Sequence, residues 1–231
     1  MKILFFILFP FLLQPQPFLM YDDAWTPLNV TSATLEFFAT GDVGLTTSGW
    51  TDQSGNGRNM TFTNTPTLSS KGGCPTVIFN GTNEYGRLDA FTLNQPTTVI
   101  IVFKTLTYTD NRRIFDGNTG NSMSFYFSIP NNLSMYAGAN IGGLATPYGE
   151  DTWDIHYLVY NGASSKYQKN SEVIGTGNVG ISNAGGFNLA SYNNTTSCSN
   201  IEVIAIAIFS GEPNASDKAK LQTYFAGYRD K

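Results

Sequence analysis

The sequence predicts one all-β domain of the sandwich type, and three observations carry that reading. First, only 30 of 231 residues are charged (13 Lys+Arg, 17 Asp+Glu), about half the usual share. Their place is taken by 26 Thr, 18 Ser, 22 Asn and 23 Gly, with 17 Phe and 12 Tyr beside them. Thr, Tyr and Phe suit a pleated, half-buried strand, while Gly and Asn suit tight turns. Second, short apolar or alternating runs recur between Gly/Asn/Pro clusters, the rhythm of sandwiches and barrels. Third, only one segment carries a helical pattern. The same composition excludes several classes. Aromatics are too plentiful for disorder, and Ala, Glu, Lys and Leu too scarce for a helical bundle. A net charge of −4 offers no basic footprint for nucleic acid.

Residues 1–23 stand apart. Lys2 precedes an apolar run, Ile3 to Leu13, in the polarity order of a secretory leader. The run is 11 residues, about 16 Å as a helix against a bilayer core of roughly 30 Å. Gln14 to Asp23 holds no small-residue cleavage pair, so an uncleaved arm that docks on a partner through residues 1–20 is the rival reading.

Residues 24–231 read as the sandwich, with no linker or repeat to divide them. Strands are expected at Thr34–Phe38, Gly49–Thr51, Asn59–Thr63, Thr76–Asn80, Tyr85–Leu88, Thr97–Lys104 and Arg112–Phe115. The second half adds Ser122–Ser128, Leu133–Ala137, Trp153–Asn161, Ser165–Lys169, Gly186–Ala190 and Ile201–Ser210. Asn80-Gly81, Asp116-Gly117 and Asn161-Gly162 are expected turns with positive φ. Thr97–Lys104 and Ile201–Phe209 are nearly continuous apolar runs, expected of central strands covered on both faces. The helix begins after Pro213. Asn214 is its N-cap, Asp217 lies in its first turn, and Leu221, Tyr224, Phe225 and Tyr228 form one apolar stripe.

Cys74 and Cys198 have no second Cys or His nearby, so neither fits a metal spacing. A disulfide between them, in an oxidising compartment, and two free thiols are both open.

Several stretches resemble the concanavalin A-like lectin/glucanase superfamily in its compact laminin-G-like form, found in secreted and phage proteins. Trp50-Thr-Asp-Gln-Ser-Gly-Asn-Gly57 is similar to a W-x-D-x-S-G-N-G signature. Pro75-Thr-Val-Ile-Phe-Asn-Gly81 is similar to P-x-V-x-F-[DN]-G. Thr97–Lys104, Ile114-Phe-Asp-Gly117, Trp153–Gly162 and Ile204–Phe209 with the helix ending at Tyr228 follow in the same order. The resemblance spans about Trp25–Lys231. It implies a jelly-roll sandwich of two curved antiparallel sheets with one short C-terminal helix. It says less about activity, because the fold hosts lectins, hydrolases and adhesion modules.

The signature also has a direct physical reading. Asp52, Ser54 and Asn56 can cap their own turn, Gly55 and Gly57 permit positive φ, and Trp50 packs at the strand end. A calcium site is the rival role for Asp52, although calcium takes six to eight oxygens and this stretch offers one carboxylate. No other cofactor is expected.

Glucanases of this superfamily resemble one another in an E-x-D-x-E strand, and retaining chemistry wants carboxylates about 5 Å apart. The six Glu residues here, Glu36, Glu84, Glu150, Glu172, Glu202 and Glu212, include no two separated by two or four positions. Glu150 with Asp154 is the nearest imitation, and it reads better as a solvated strand start. His156 reads as a packed core residue. The expected protein is therefore not an enzyme.

Alternation does offer a binding face. In Ser122–Ser128, Met123, Phe125 and Phe127 oppose Ser124, Tyr126 and Ser128. In Asn132–Tyr136, Leu133 and Met135 oppose Ser134 and Tyr136. Pairing of these strands through the Pro130-Asn131 turn puts Tyr126 and Tyr136 on one exposed polar face with Ser124 and Ser134. Flat aromatics beside hydroxyls suit sugar rings. Trp153 is a lesser candidate for the same platform. The leading expectation is a non-catalytic carbohydrate-binding or adhesion module, extracellular or on a virion surface, with a glycan or cell-surface polysaccharide as partner. The alternatives are a structural virion or surface decoration protein attached through residues 1–20, as a homo-oligomer or on a virion, and a divergent glucanase using Glu150 and Asp154.

Overall fold

The computed structural model describes residues 25–118, 122–129, 132–144, 150–193 and 196–231. The apolar segment 1–23, the Pro130-Asn131 turn and the loop before Glu150 lie outside these. In chain order the first strands are β1 (Thr34–Thr40), β2 (Leu45–Thr46), β3 (Gly49–Trp50), β4 (Met60–Thr63), β5 (Thr67–Lys71) and β6 (Cys74–Asn80). Then come β7 (Tyr85–Leu88), β8 (Thr97–Thr107), β9 (Arg113–Asp116), β10 (Ser124–Ser128), β11 (Asn132–Tyr136) and β12 (Asn140–Leu144). The last are β13 (Trp153–Tyr160), β14 (Ser165–Lys169), β15 (Glu172–Gly177), β16 (Phe187–Leu189) and β17 (Asn200–Ser210), followed by helix α1 (Ala215–Arg229).

The strands form two antiparallel sheets. One has eight strands in the order β15-β14-β13-β8-β17-β6-β5, with β1 also on β17; the other has nine, in the order β12-β11-β10-β9-β16-β7-β4-β3-β2. Their facing sides bury Phe37, Trp50, Phe79, Phe115, Phe125 and Phe187 in one core. The two long apolar runs are the central pair, β8 and β17. Val99, Ile101 and Phe103 enter the core between the sheets, whereas Ile100 and Val102 pack under α1 with Leu221 and Phe225. A strand covered on both sides cannot alternate in polarity. On β17 a bulge between Val203 and Ala205 places Ile204 and Ala205 on the helix side together.

Helix α1 starts as its sequence dictates. Asn214 Oδ1 accepts the Asp217 N–H at 2.9 Å, satisfying one of the free donors of the first turn. The Asp217 carboxylate in turn accepts the Ser32 hydroxyl at 2.6 Å, tying the helix start to the segment before β1.

The structure corrects several expectations. Strands β2, β5, β12 and β15 have no counterpart among the expected ones. Gly81 and Gly162 do adopt positive φ, 72° and 51°. Asp116-Gly117 is not a hairpin turn: Asp116 is the last residue of β9. Gly117 is required there for space, since a Cβ would come within 2.5 Å of the Ala184 carbonyl oxygen. Cys74 and Cys198 are buried free thiols, and burial pushes the Cys74 thiol up to about 11.

Candidate functional site

The outward side of the nine-stranded sheet carries a polar row. Strand register builds it residue by residue. Thr61 lies opposite Arg87, Arg87 opposite Asn188, and Asn188 opposite Asp116. The Ser124 hydroxyl donates to the Asp116 carboxylate. Ser124 lies opposite Tyr136, and Tyr136 opposite Asn140. Phe115, Phe125, Leu133, Met135 and Leu189 lie in the core on the other side, so period-two alternation turns the polar row outward.

One irregularity shapes the site. Phe125 pairs with Phe115, but Tyr126 pairs with Arg113, so Ile114 is an extra residue on β9. Ile114 and Phe115 both stay in the core, and Arg113 is re-aimed to the face of Tyr126, a common use of a bulge. The Arg113 guanidinium carbon sits 4.2 Å from the Tyr126 ring centroid and 5.3 Å from that of Tyr192. Its Nη1 donates to Asn111 Oδ1 at 2.8 Å and to the Asn111 carbonyl at 3.3 Å.

Tyr126 and Tyr136 share this face and are half-buried, as their parity requires. Ser124 and Ser134 share it too, but they are fully buried. The expectation that they are exposed is corrected: Ser124 is spent on Asp116 and Ser134 donates to the Ser128 hydroxyl at 2.7 Å. Trp153 is not part of the site. It lies on the outward side of the eight-stranded sheet, against the helix-side cluster, with Lys71 and Lys104 Nζ each 5.7 Å from its ring centroid.

The polar row contains groups that the described residues do not satisfy. Buried and without a hydrogen-bond partner are Arg87 Nε, Arg113 Nε, Asn118 Oδ1, Asn188 Oδ1 and Ser191 Oγ. All five sit on β7, β9 and β16 or within two residues of their ends. Arg87 Nε and Asn188 Oδ1 are cross-strand neighbours, one a donor and one an acceptor. Leaving such groups unpaired costs about 1–3 kcal/mol each. None of Arg87, Arg112 and Arg113 has an ion pair among the described residues, whereas Arg58 pairs with Glu36 at 3.3 Å and Arg229 with Asp230 at 2.7 Å.

The other sequence candidates are occupied by their own chain. Asp52 accepts the Phe38 N–H at 3.2 Å, the Ser54 N–H and hydroxyl at 2.8 Å, and the Arg58 N–H at 2.9 Å. Gly55 and Gly57 have φ of 89° and 71°. Among the described residues no group of three or more His, Cys, Asp or Glu could hold a metal ion. A cavity of about 320 Å³ beside this loop is lined by Gly57, Arg58, Asn59, Asp89, Ala90 and Phe91. Its guanidinium is already stacked 4.7 Å from the Phe91 centroid.

Glu150 accepts the Tyr108 N–H at 2.9 Å outside any strand, and Asp154 is buried against Lys169 at 3.2 Å and Asn170 at 2.7 Å. His156 is buried, and its Nδ1 lies 2.9 Å from the Tyr167 hydroxyl. Desolvation holds its imidazole down at about 3, so it is neutral, as a packed core histidine is.

No family model matches the sequence, and no curated protein matches it. Solved structures do. Domain 4 of AbnA, an extracellular GH43 arabinanase of Geobacillus stearothermophilus solved with arabinotriose, superposes with a TM-score of 0.67 at 16% identity, over 83% of this chain and 100% of that one. Trypanosoma rangeli sialidase matches with a TM-score of 0.64 at 11% identity, over 85% of this chain and 34% of its own. The binding domain of botulinum neurotoxin serotype D matches with 0.63 at 12%, over 84% and 52%. This chain spans about a third of the sialidase and half of the toxin domain. At these identities the likeness is one of fold: a sandwich of two antiparallel sheets.

Sequence reasoning missed Arg87, Arg113, Asp116 and Asn188. The signal present was parity. Arg87 alternates with Leu88 in Tyr85–Leu88, and Asn188 lies between Phe187 and Leu189.

Proposed function

We propose that this protein is a non-catalytic carbohydrate-binding module that takes a glycan on the outward face of the nine-stranded sheet, centred on Tyr126, Tyr136 and Arg87. The observation that carries this is the strand register that sets the half-buried rings of Tyr126 and Tyr136 on one face with the half-buried Arg87 and Arg113, neither arginine having an ion pair among the described residues. Apolar sugar ring faces suit the tyrosines, and sugar hydroxyls suit the guanidinium donors. The arabinanase domain, matched over its whole length and solved with arabinotriose, supports the reading by analogy of fold. The non-catalytic part is supported by the carboxylates: Asp154 is held by Lys169 and Asn170, and Glu150 by a backbone N–H.

The module acts outside a cell or on a virion, a role supported by Lys2 and the apolar run behind it. A glycan array probed with the native protein and with Tyr126→Ala tests the binding. The expected result is a set of bound glycans whose affinity falls about tenfold in the variant, roughly 1.4 kcal/mol. Undiminished binding by Tyr126→Ala rejects the site, and release of reducing sugar from a bound glycan rejects the non-catalytic reading.

A further inference from the structure

We propose, resting on the carbohydrate reading above, that the cavity of about 320 Å³ beside Gly57 is a second subsite, which takes one neutral sugar ring with Asp89 accepting two of its adjacent hydroxyls. The strands place it. Thr61 of β4 lies opposite Arg87 of β7. Asn59 directly precedes β4 and Asp89 directly follows β7, so the cavity opens at the end of this strand pair. Asp89 is two residues beyond Arg87, about 7 Å along an extended chain. Ligand pockets begin at about 300 Å³, so this one has room for a ring rather than for a chain of rings.

The lining selects the ligand. Arg58 is spent within the chain: its guanidinium carbon sits 4.7 Å from the Phe91 centroid, and its Nη1 lies 3.3 Å from Glu36 Oε2 and donates to the Glu36 carbonyl at 3.2 Å. Its charge is thereby matched. Asp89 is exposed and has no ion pair or hydrogen bond among the described residues, although Arg58 lines the same cavity. The unmatched charge of the cavity is therefore negative. An ionised carboxylate only accepts. Its two oxygens take two adjacent hydroxyls through charge-assisted bonds, and it repels a second carboxylate. Asn59 adds a donor. Its Oδ1 accepts the Asp52 N–H at 2.9 Å, which orients the amide, and its Nδ2 has no partner among the described residues. Phe91, half-buried against the core, and Ala90 give the cavity an apolar wall for a ring face. A Cβ at Gly57 would meet nothing within 4 Å, so that side of the cavity is open.

The test titrates the full chain calorimetrically with single sugars: glucose beside glucuronate, galactose beside galacturonate, and mannose beside mannuronate. Each acid keeps the ring and exchanges one hydroxymethyl for a carboxylate. At least one neutral sugar binds, and its acid binds about tenfold or more weakly. Asp89→Asn, which keeps the shape and removes the charge, weakens the neutral sugar about tenfold and erases its advantage over the acid. Ala90→Trp, which fills the cavity from an exposed position, abolishes binding. Binding of no neutral sugar, an acid bound as tightly as its neutral partner, or undiminished binding by Asp89→Asn overturns the proposal. A loss caused by Tyr126→Ala but not by Ala90→Trp also overturns it, since the sugar would then sit on the tyrosine face. Each of these leaves the tyrosine face standing where array glycans still depend on Tyr126. Binding of no carbohydrate, as single sugars or on the array, overturns both. The comparison of neutral sugar with acid decides the matter on the unaltered protein if a variant fails to fold.

Discussion

The two outward faces of the sandwich are built by opposite rules. On the eight-stranded sheet, Ile100, Val102, Ile155 and Tyr157 are closed over by Leu221 and Phe225 of α1. Charges at its margin find partners in the chain: Lys104 meets Glu202 at 3.1 Å and Lys166 meets Glu212 at 2.8 Å. On the nine-stranded sheet neither Arg87 nor Arg113 has an ion pair among the described residues, and Arg113 is held instead by Asn111 and the Tyr126 ring. The first face spends its side chains on stability. The second leaves its guanidiniums without counter-charges, while buried polar atoms without a partner occur on both faces, Tyr157 Oη and Gln168 Oε1 on the first and Arg87 Nε and Asn188 Oδ1 on the second.

Substitutions should separate the two. The largest effect is expected at Phe225, fully buried under the first face. Phe225→Ala should cost about 3–5 kcal/mol in urea unfolding, whereas Tyr136→Ala on the second face should cost under about 1 kcal/mol. Comparable losses at both positions would erase the distinction. Next comes Lys104. Lys104→Met strands Glu202, whose side chain is 5% exposed, and an uncompensated buried charge costs roughly 3 kcal/mol. Adding Glu202→Leu should recover most of that loss. A double variant no more stable than the single one would mean that Glu202 is not held by Lys104.

The core between the faces has its own signature, in acid. His156 has a folded pKa of about 3 against an ordinary 6.5. Above pH 6.5 it is neutral in both states. As pH falls below that, the unfolded chain takes up a proton that the folded one refuses, so stability is lost progressively down to about pH 3. At pH 5 the loss relative to pH 8 is about 2 kcal/mol. His156→Phe should flatten this segment of the pH profile; an unchanged slope would assign the acid sensitivity elsewhere.

The first face was legible in the sequence and the second only half so. Apolar runs at Thr97–Lys104 and Ile201–Phe209 announce strands covered on both sides, and Asn214 with the stripe to Tyr228 announces the helix that covers them. Strand β5, Thr67–Lys71, is an exposed edge held by pairing to β6, so it carries no apolar alternation. Strand β12, Asn140–Leu144, includes two glycines. The register of β10 on β11 did follow from parity and put Tyr126 with Tyr136 on one face. Arg87, Arg113 and Asn188 did not, because 75 residues separate Arg113 from Asn188 in sequence and only β9 beside β16 joins them. The Ile114 bulge, which turns Arg113 outward, has no sequence signal of its own. Asp116-Gly117 had one, and it misled: the pair reads as a turn, yet Asp116 ends a strand and joins the row.

The smallest stability effect is the most telling of the set. Arg87→Met keeps the apolar stem that lies along the sheet and removes the buried, unpartnered Nε. It breaks no ion pair and no side-chain hydrogen bond among the described residues. An orphaned donor is a debit in the folded state, so its removal should leave unfolding free energy within about 0.5 kcal/mol or raise it slightly. The same substitution should weaken glycan binding several-fold, because the guanidinium that the half-buried Arg87 brings to the tyrosine face is gone. Stability unchanged while binding falls would establish that this row is held for a ligand. A loss of 2 kcal/mol or more would instead make Arg87 a structural residue, and the two faces would then differ in polarity alone.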